Sequence, residues 1–252
     1  MNWSESMSPL PKRLKKEPLI EVIWQVHFDG QQGTGDVLPG ILFAELRSNH
    51  PKLRLQRLPS ADIPAPIAQI DPNLRYAPKM KMEEPEGSFV WQVGDRVVTL
   101  NCRRPYVGWE KFKESVVTLT KIVEGSGLIP NPLRHSLRYI DLLKDDLAAD
   151  LSALKLVMKL GDHEIRSRVQ MRVEIPDVEC LHVVQIASPA QVHLAGAQVT
   201  GSVIDLETLS ANTPSHWDAL RDQLDLLHDR SKALFFQKIM TEETIQKLEP
   251  EY

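Results

Sequence analysis

The chain reads as a mixed α+β protein with antiparallel-rich sheets and helices packed on them, and three observations predict this class. Over 18–28, strict alternation places Ile20, Val22, Trp24, Val26 and Phe28 on one side of a strand and Glu21, Gln25 and His27 on the other. Two stretches, 109–124 and one starting near Pro214, repeat apolar residues at helical spacing. The order strand, helix, hairpin, helix, strand across the first half suits a split-βαβ, ferredoxin-like layer.

Residues 1–16 read as a flexible arm that ends in the basic run Lys12, Arg13, Lys15 and Lys16. After the first strand, the glycines of 30–35 make a turn. Asp36 is then placed to cap a helix to about Ser48, with Pro39 in its first turn, where a missing N–H has no intrahelical partner. Prolines 51, 59, 64, 66, 72, 78 and 85 make 51–86 an extended loop with short edge pieces. Gly94-Asp95 joins 89–93 to 96–101 as a hairpin, and the helix at 109–124 carries Phe112, Val116, Leu119, Ile122 and Val123 as its stripe. A strand at 133–143 closes the first half, 17–144. The second half, 145–252, opens with an expected helix over 146–160. Three strands follow at 165–175, 180–187 and 201–209, then a long amphipathic helix bearing Trp217, Leu220, Leu224, Leu227, Leu234 and Phe235. Thr241 caps a short terminal helix. The tripeptide Trp24-Gln25-Val26 recurs as Trp91-Gln92-Val93 at a non-equivalent place, which is chance and not a repeat.

Composition narrows the classes. The 252 residues are 42% hydrophobic and 25% charged, which excludes global disorder, and a net charge of −4 gives no overall attraction to nucleic acid or anionic membrane. Two cysteines, Cys102 and Cys180, permit at most one bridge; that usage suits a reducing compartment. With no signal-like apolar core near Met1 and no bilayer-length apolar run, the expected location is the cytoplasm.

Motif chemistry is sparse. Gly30, Gly33 and Gly35 have the wrong spacing for a dinucleotide fingerprint and lack a phosphate loop's Lys-Ser/Thr pair. His163-Glu164 has no second histidine at helical spacing, and no Gly-x-Ser-x-Gly elbow selects a serine. His182 alternates with Cys180 and Val184 on a strand and reads as a packing residue, and His216 as a capping or exposed one. No cofactor is expected.

Three charged constellations remain. Asp205 and Glu207 alternate on one strand, and Asp141 ends another. On neighbouring strands these carboxylates could hold a divalent cation and activate water for phosphodiester or nucleotide hydrolysis; the other reading pairs them with arginines across the strands. Arg166, Arg168 and Arg172 are expected on one strand face, and Arg134 and Arg138 on another with Ser136. Such faces suit an anionic partner, nucleic acid or protein, although few aromatics accompany them for base stacking. Asp218, Asp222, Asp225 and Asp229 form an acidic helix stripe, either solvated or available to a basic partner, including another copy of the chain.

Pro18-Leu19-Ile20-Glu21, Gly108-Trp109-Glu110-Lys111-Phe112, Ser136-Leu137-Arg138-Tyr139-Ile140-Asp141, Val203-Ile204-Asp205-Leu206-Glu207, Leu227-His228 and Phe235 with Ile239-Met240-Thr241-Glu242 occur in this order. Across nearly its whole length the chain thereby resembles a sporadically distributed prokaryotic family of conserved proteins of unknown function. The resemblance implies cargo of mobile elements, such as toxin–antitoxin or phage-defence modules, and implies no catalytic residue. Where that family often has an acidic–x–basic pair this chain has Gln25 and His27, and where it often has Ile-Asn this chain has Ile140-Asp141. The expectation is a non-enzymatic binding or regulatory protein. A metal-dependent hydrolase using Asp205, Glu207 and Asp141 is the alternative, and a sequence-independent nucleic-acid binder the second alternative.

Overall fold

The computed structural model describes residues 9–31, 33–71, 74–194 and 196–252; residues 1–8 of the expected arm, and Pro72 of the proline-rich stretch, lie outside them. Its strands are β1 (Arg13–Leu14), β2 (Leu19–Phe28), β3 (Arg54–Arg57), β4 (Met80–Glu83), β5 (Phe89–Val93), β6 (Val97–Arg103), β7 (Pro132–Leu143), β8 (Met158–Leu160), β9 (His163–Ile165), β10 (Val169–Pro176), β11 (Cys180–Leu194), β12 (Ala197–Ser210) and β13 (Pro250–Glu251). Its α-helices are α1 (Thr34–Arg47), α2 (Ala65–Ile70), α3 (Trp109–Gly125), α4 (Trp217–Asp222), α5 (Leu224–Leu234) and α6 (Glu242–Lys247). Nine strands are hydrogen-bonded in the order β10-β11-β12-β7-β2-β6-β5-β4-β3, so the class is α+β with a large antiparallel sheet. No helix among the described residues is long and apolar enough to cross a membrane.

The chain divides into two units. One combines residues up to Ile20 with Arg138–Leu209 and Leu226–Tyr252; the other comprises Glu21–Leu137 and Ser210–Asp225. The partition runs through β7 and assigns α4 to the same unit as α1 and α3.

In the second of these units, β2 does what its alternation dictates. Val22, Trp24, Val26 and Phe28 are wholly buried, each contributing about 1.5–3 kcal/mol by leaving water. Helix α1 contacts β5, and α3 contacts both α1 and β6. The order β7-β2-β6-β5, with β6 antiparallel to both β2 and β5, is the split-βαβ arrangement, extended at its edge by β4 and β3. Helix α1 begins three residues earlier than expected, after Gly33 at φ 86, so Asp36 lies in its first turn and Pro39 in its second. The hairpin closes through Gly94 N–H donating to Val97 O at 2.9 Å, which puts Asp95 and Arg96 at its tip.

The first unit holds one apolar cluster: Leu143, Leu151, Leu154, Val184, Ile186, Ile204, Leu206, Leu234, Phe235, Met240, Ile245 and neighbours. The helix expected over 146–160 is absent there. Two 3-10 turns, Asp145–Ala148 and Leu151–Ala153, precede the β8–β9 hairpin. Two competing interactions explain the difference. The Asp150 side chain accepts from Ser152 N–H at 2.8 Å, a local alternative to helix. The Ala153 carbonyl, needed for a helical ladder, accepts from Thr241 N–H at 3.1 Å and from the Thr244 hydroxyl at 3.0 Å. Thr241 caps α6 as expected, its hydroxyl accepting from Thr244 N–H. The basic run differs from the expected arm: Arg13 and Leu14 pair with Glu251 and Pro250, and Lys16 meets Glu249 at 2.8 Å. The long expected helix is interrupted at Gln223, between α4 and α5.

Candidate functional site

Strands β7 and β12 are neighbours, the arrangement the carboxylate reading needed. Arg138 nevertheless takes the Asp205 carboxylate: its Nε donates to Oδ1 at 2.6 Å and its Nη2 to Oδ2. Alternation along β7 puts Asp141, which is buried, on the face opposite Arg138, so it cannot converge with Asp205 and Glu207. The trio expected as a metal site is thus not assembled. Glu207 is half-buried on β12.

The arginine row also differs from expectation. Arg166 and Arg168 precede β10 instead of lying on it, because Arg168 adopts φ 56, a left-handed conformation that ends extended pairing. Arg166 meets Glu164 at 3.0 Å and Arg172 meets Glu174 at 2.6 Å. Arg134 is exposed on β7. Of the acidic stripe, Asp218 pairs with Arg221, and Asp225 accepts from Trp109 Nε1 at 2.9 Å and pairs with Lys113; Asp222 and Asp229 are exposed.

In the unit containing α1 and α3, the sheet face opposite the apolar one carries a linked polar network in which Thr99 and Asn101 are buried. Thr99 donates to Asn101 Oδ1 at 2.9 Å, Asn101 donates to Glu21 Oε1 at 2.9 Å, and Arg103 meets Glu83 at 3.0 Å. His27 stacks on Tyr76 with ring centroids 3.8 Å apart and accepts from the Gln25 amide at 2.7 Å. Burial, assisted by the nearby Arg134 charge, lowers the His27 imidazole to about 4, which keeps it neutral.

The densest chemistry lies in the other unit, around His182, which its alternation marks only as a packing residue. The turn between β10 and β11 is closed by Asp177 N–H donating to Cys180 O at 2.9 Å. It brings the Asp177 carboxylate 3.9 Å from Cys180 Sγ, which lies 3.5 Å from His182 Nε2. Among the described residues, these three have ligating atoms all within 4.8 Å of one another. Cys180 and His182 are each 1% exposed, as is the Asp177 side chain. Burial, then the Asp177 charge, pushes the Cys180 thiol up to about 12, so it is protonated and a poor nucleophile. Burial also lowers the His182 imidazole.

A chain of hydroxyls reaches the histidine. Thr208 Oγ1 lies 2.9 Å from His182 Nδ1. Ser231 Oγ, with one proton to give, lies 2.7 Å from both Thr208 Oγ1 and the Leu227 carbonyl oxygen, each placed to accept it. Arg230 completes the surroundings, with Nε 3.8 Å from Asp177 Oδ2 and Nη2 3.2 Å from Glu179 Oε2. The signal that could have revealed the group is Asp177-x-x-Cys180-x-His182, whose first member lies in a turn and not on the strand. Cys102 and Cys180 are both free thiols. Set against protein-family models and against curated proteins, the chain matches none.

Proposed function

We propose that the chain is a non-enzymatic binding protein that acts in the cytoplasm on a protein partner or a second copy of itself. The observation that supports this reading is the Arg138–Asp205 pair. Hydrolysis would need Asp205 as an open carboxylate, and that carboxylate is committed to a guanidinium. A second support is the accessible set Glu21, Arg103 and Glu83, held from beneath by buried Asn101 and Thr99: polar groups held by one another lose little freedom when a partner docks. Exposed Arg134 beside that surface, and exposed Asp222 and Asp229, supply the charges that would choose the partner. In its biological form the proposal places the partner's gene beside this one, in a mobile toxin–antitoxin or phage-defence module.

The test is affinity purification of the tagged chain from native cells, followed by equilibrium binding with the purified partner. The proposal expects a stoichiometric complex whose Kd weakens about 10-fold or more in Arg134→Glu, about 1.4 kcal/mol. A chain that enriches no stoichiometric protein and stays monomeric by light scattering would overturn it. So would magnesium- or manganese-dependent phosphodiester hydrolysis that disappears in Asp205→Ala.

A further inference from the structure

We infer that Asp177, Cys180 and His182 are the protein ligands of a zinc ion that clips the β10–β11 hairpin to β12 and α5. The inference is independent of the binding reading above.

Distances carry it first. Tetrahedral zinc holds a cysteine sulfur at about 2.3 Å and a histidine nitrogen at about 2.0–2.1 Å, which puts the two ligand atoms about 3.5 Å apart. Cys180 Sγ and His182 Nε2 lie 3.5 Å apart. The Asp177 oxygen lies 3.9 Å from the sulfur, and all three ligand atoms lie within 4.8 Å of one another, so the carboxylate moves inward from its turn when the ion binds. Three protein ligands leave the fourth position to water.

The surroundings fit the same ion. Zinc-bound histidines use one ring nitrogen and donate the other N–H to a supporting acceptor, which orients the ring. His182 has the geometry for this, with Nδ1 2.9 Å from Thr208 Oγ1, which in turn accepts from Ser231. Charge balances too. Zinc displaces the thiol proton to solvent, so its two positive charges meet the Cys180 thiolate and the Asp177 carboxylate, while Arg230, near both Asp177 and Glu179, has the Glu179 carboxylate as its own counter-charge. A sulfur, an imidazole and a carboxylate select a borderline-soft cation over magnesium or calcium, which take all-oxygen sites. The three side chains are almost fully covered, so the ion would tie a turn at the edge of the sheet to Thr208 on β12 and Ser231 on α5.

The test uses the full-length, tag-free protein, stripped with chelator and titrated with zinc and then with cobalt(II). One zinc per chain is expected, with release of a proton on binding. Cobalt should give tetrahedral d–d absorption and a thiolate-to-cobalt charge-transfer band. Thr208→Val should weaken zinc binding about 10- to 100-fold, and Cys180→Ser by more than that while abolishing the charge-transfer band. Should Cys180→Ser fail to fold, the cobalt spectrum of the wild-type chain decides alone. No stoichiometric zinc, a cobalt spectrum without thiolate charge transfer, or zinc binding undiminished in a folded Cys180→Ser would overturn the inference.

Discussion

Arg138 on β7 grips both carboxylate oxygens of Asp205 on β12, in a pair whose side chains are 36% and 12% exposed respectively. The exposure lies between the surface case, where such pairs contribute little, and the buried case, where removing one partner strands a charge. Asp205→Ala should therefore lower stability by about 1–3 kcal/mol in urea unfolding. A double-mutant cycle with Arg138→Met should return a coupling of about 1 kcal/mol. A coupling of zero would mean the two groups are independent.

Acid should destabilise the protein in a defined window. Burial lowers His135 to about 4, although the Gln223 hydrogen bond works the other way, and His27 is lowered to about the same value. In the unfolded chain an imidazole takes up its proton near pH 6.5. As pH falls from 6.5 toward 4, the unfolded state binds protons that the native state refuses, so stability is lost; above 6.5 both states are neutral and these groups contribute no slope. The loss should reach up to about 3 kcal/mol for His135 at the acid end of the window. Melting temperature measured from pH 7 to pH 5 should fall, and fall less steeply in His135→Gln.

Thr208 braces His182 even without a metal. Thr208→Val leaves the buried His182 Nδ1 without its hydroxyl partner, while Ser231 keeps the Leu227 carbonyl, a loss of about 1–3 kcal/mol. Chemical denaturation of the chelator-treated variant checks this. A neutral result would mean that Nδ1 finds another partner.

Two glycines should respond with opposite signs. At Gly201 an added methyl would collide with the Leu143 carbonyl oxygen, which is backbone and cannot swing aside; Gly201→Ala should destabilise by about 1–3 kcal/mol. Gly40 lies inside α1 with open space around it, so Gly40→Ala should stabilise by about 0.5–1 kcal/mol. Thermal melts of the two variants side by side provide the comparison.

Local signals were legible where one face of an element is apolar throughout. The alternation of Val22, Trp24, Val26 and Phe28, the stripe of Phe112, Val116 and Leu119 on α3, and the Thr241 cap all appear where their spacing puts them. Reading failed where a distant segment competed for the backbone. Leu151 and Ala153 have helical neighbours in sequence, yet the Ala153 carbonyl belongs to Thr241 and Thr244, about ninety residues later. Arg168 resembles its strand neighbours but carries a left-handed backbone, which removed two of three arginines from the expected row. The strand pairing of Asp205 with arginine is one of two open readings, because sequence does not show which face of β7, that of Arg138 or that of Asp141, lies on the side of Asp205. Asp177 was passed over because a turn, not periodicity, brings it to Cys180 and His182.

The most direct measurement is an anomalous difference map at the zinc edge, from crystals of the tag-free chain grown with zinc. The account predicts one peak bounded by Asp177, Cys180 Sγ and His182 Nε2, with Arg138 still on both oxygens of Asp205. A peak held by Asp205 with Glu207 or Asp141, or no ordered zinc at all, would contradict it.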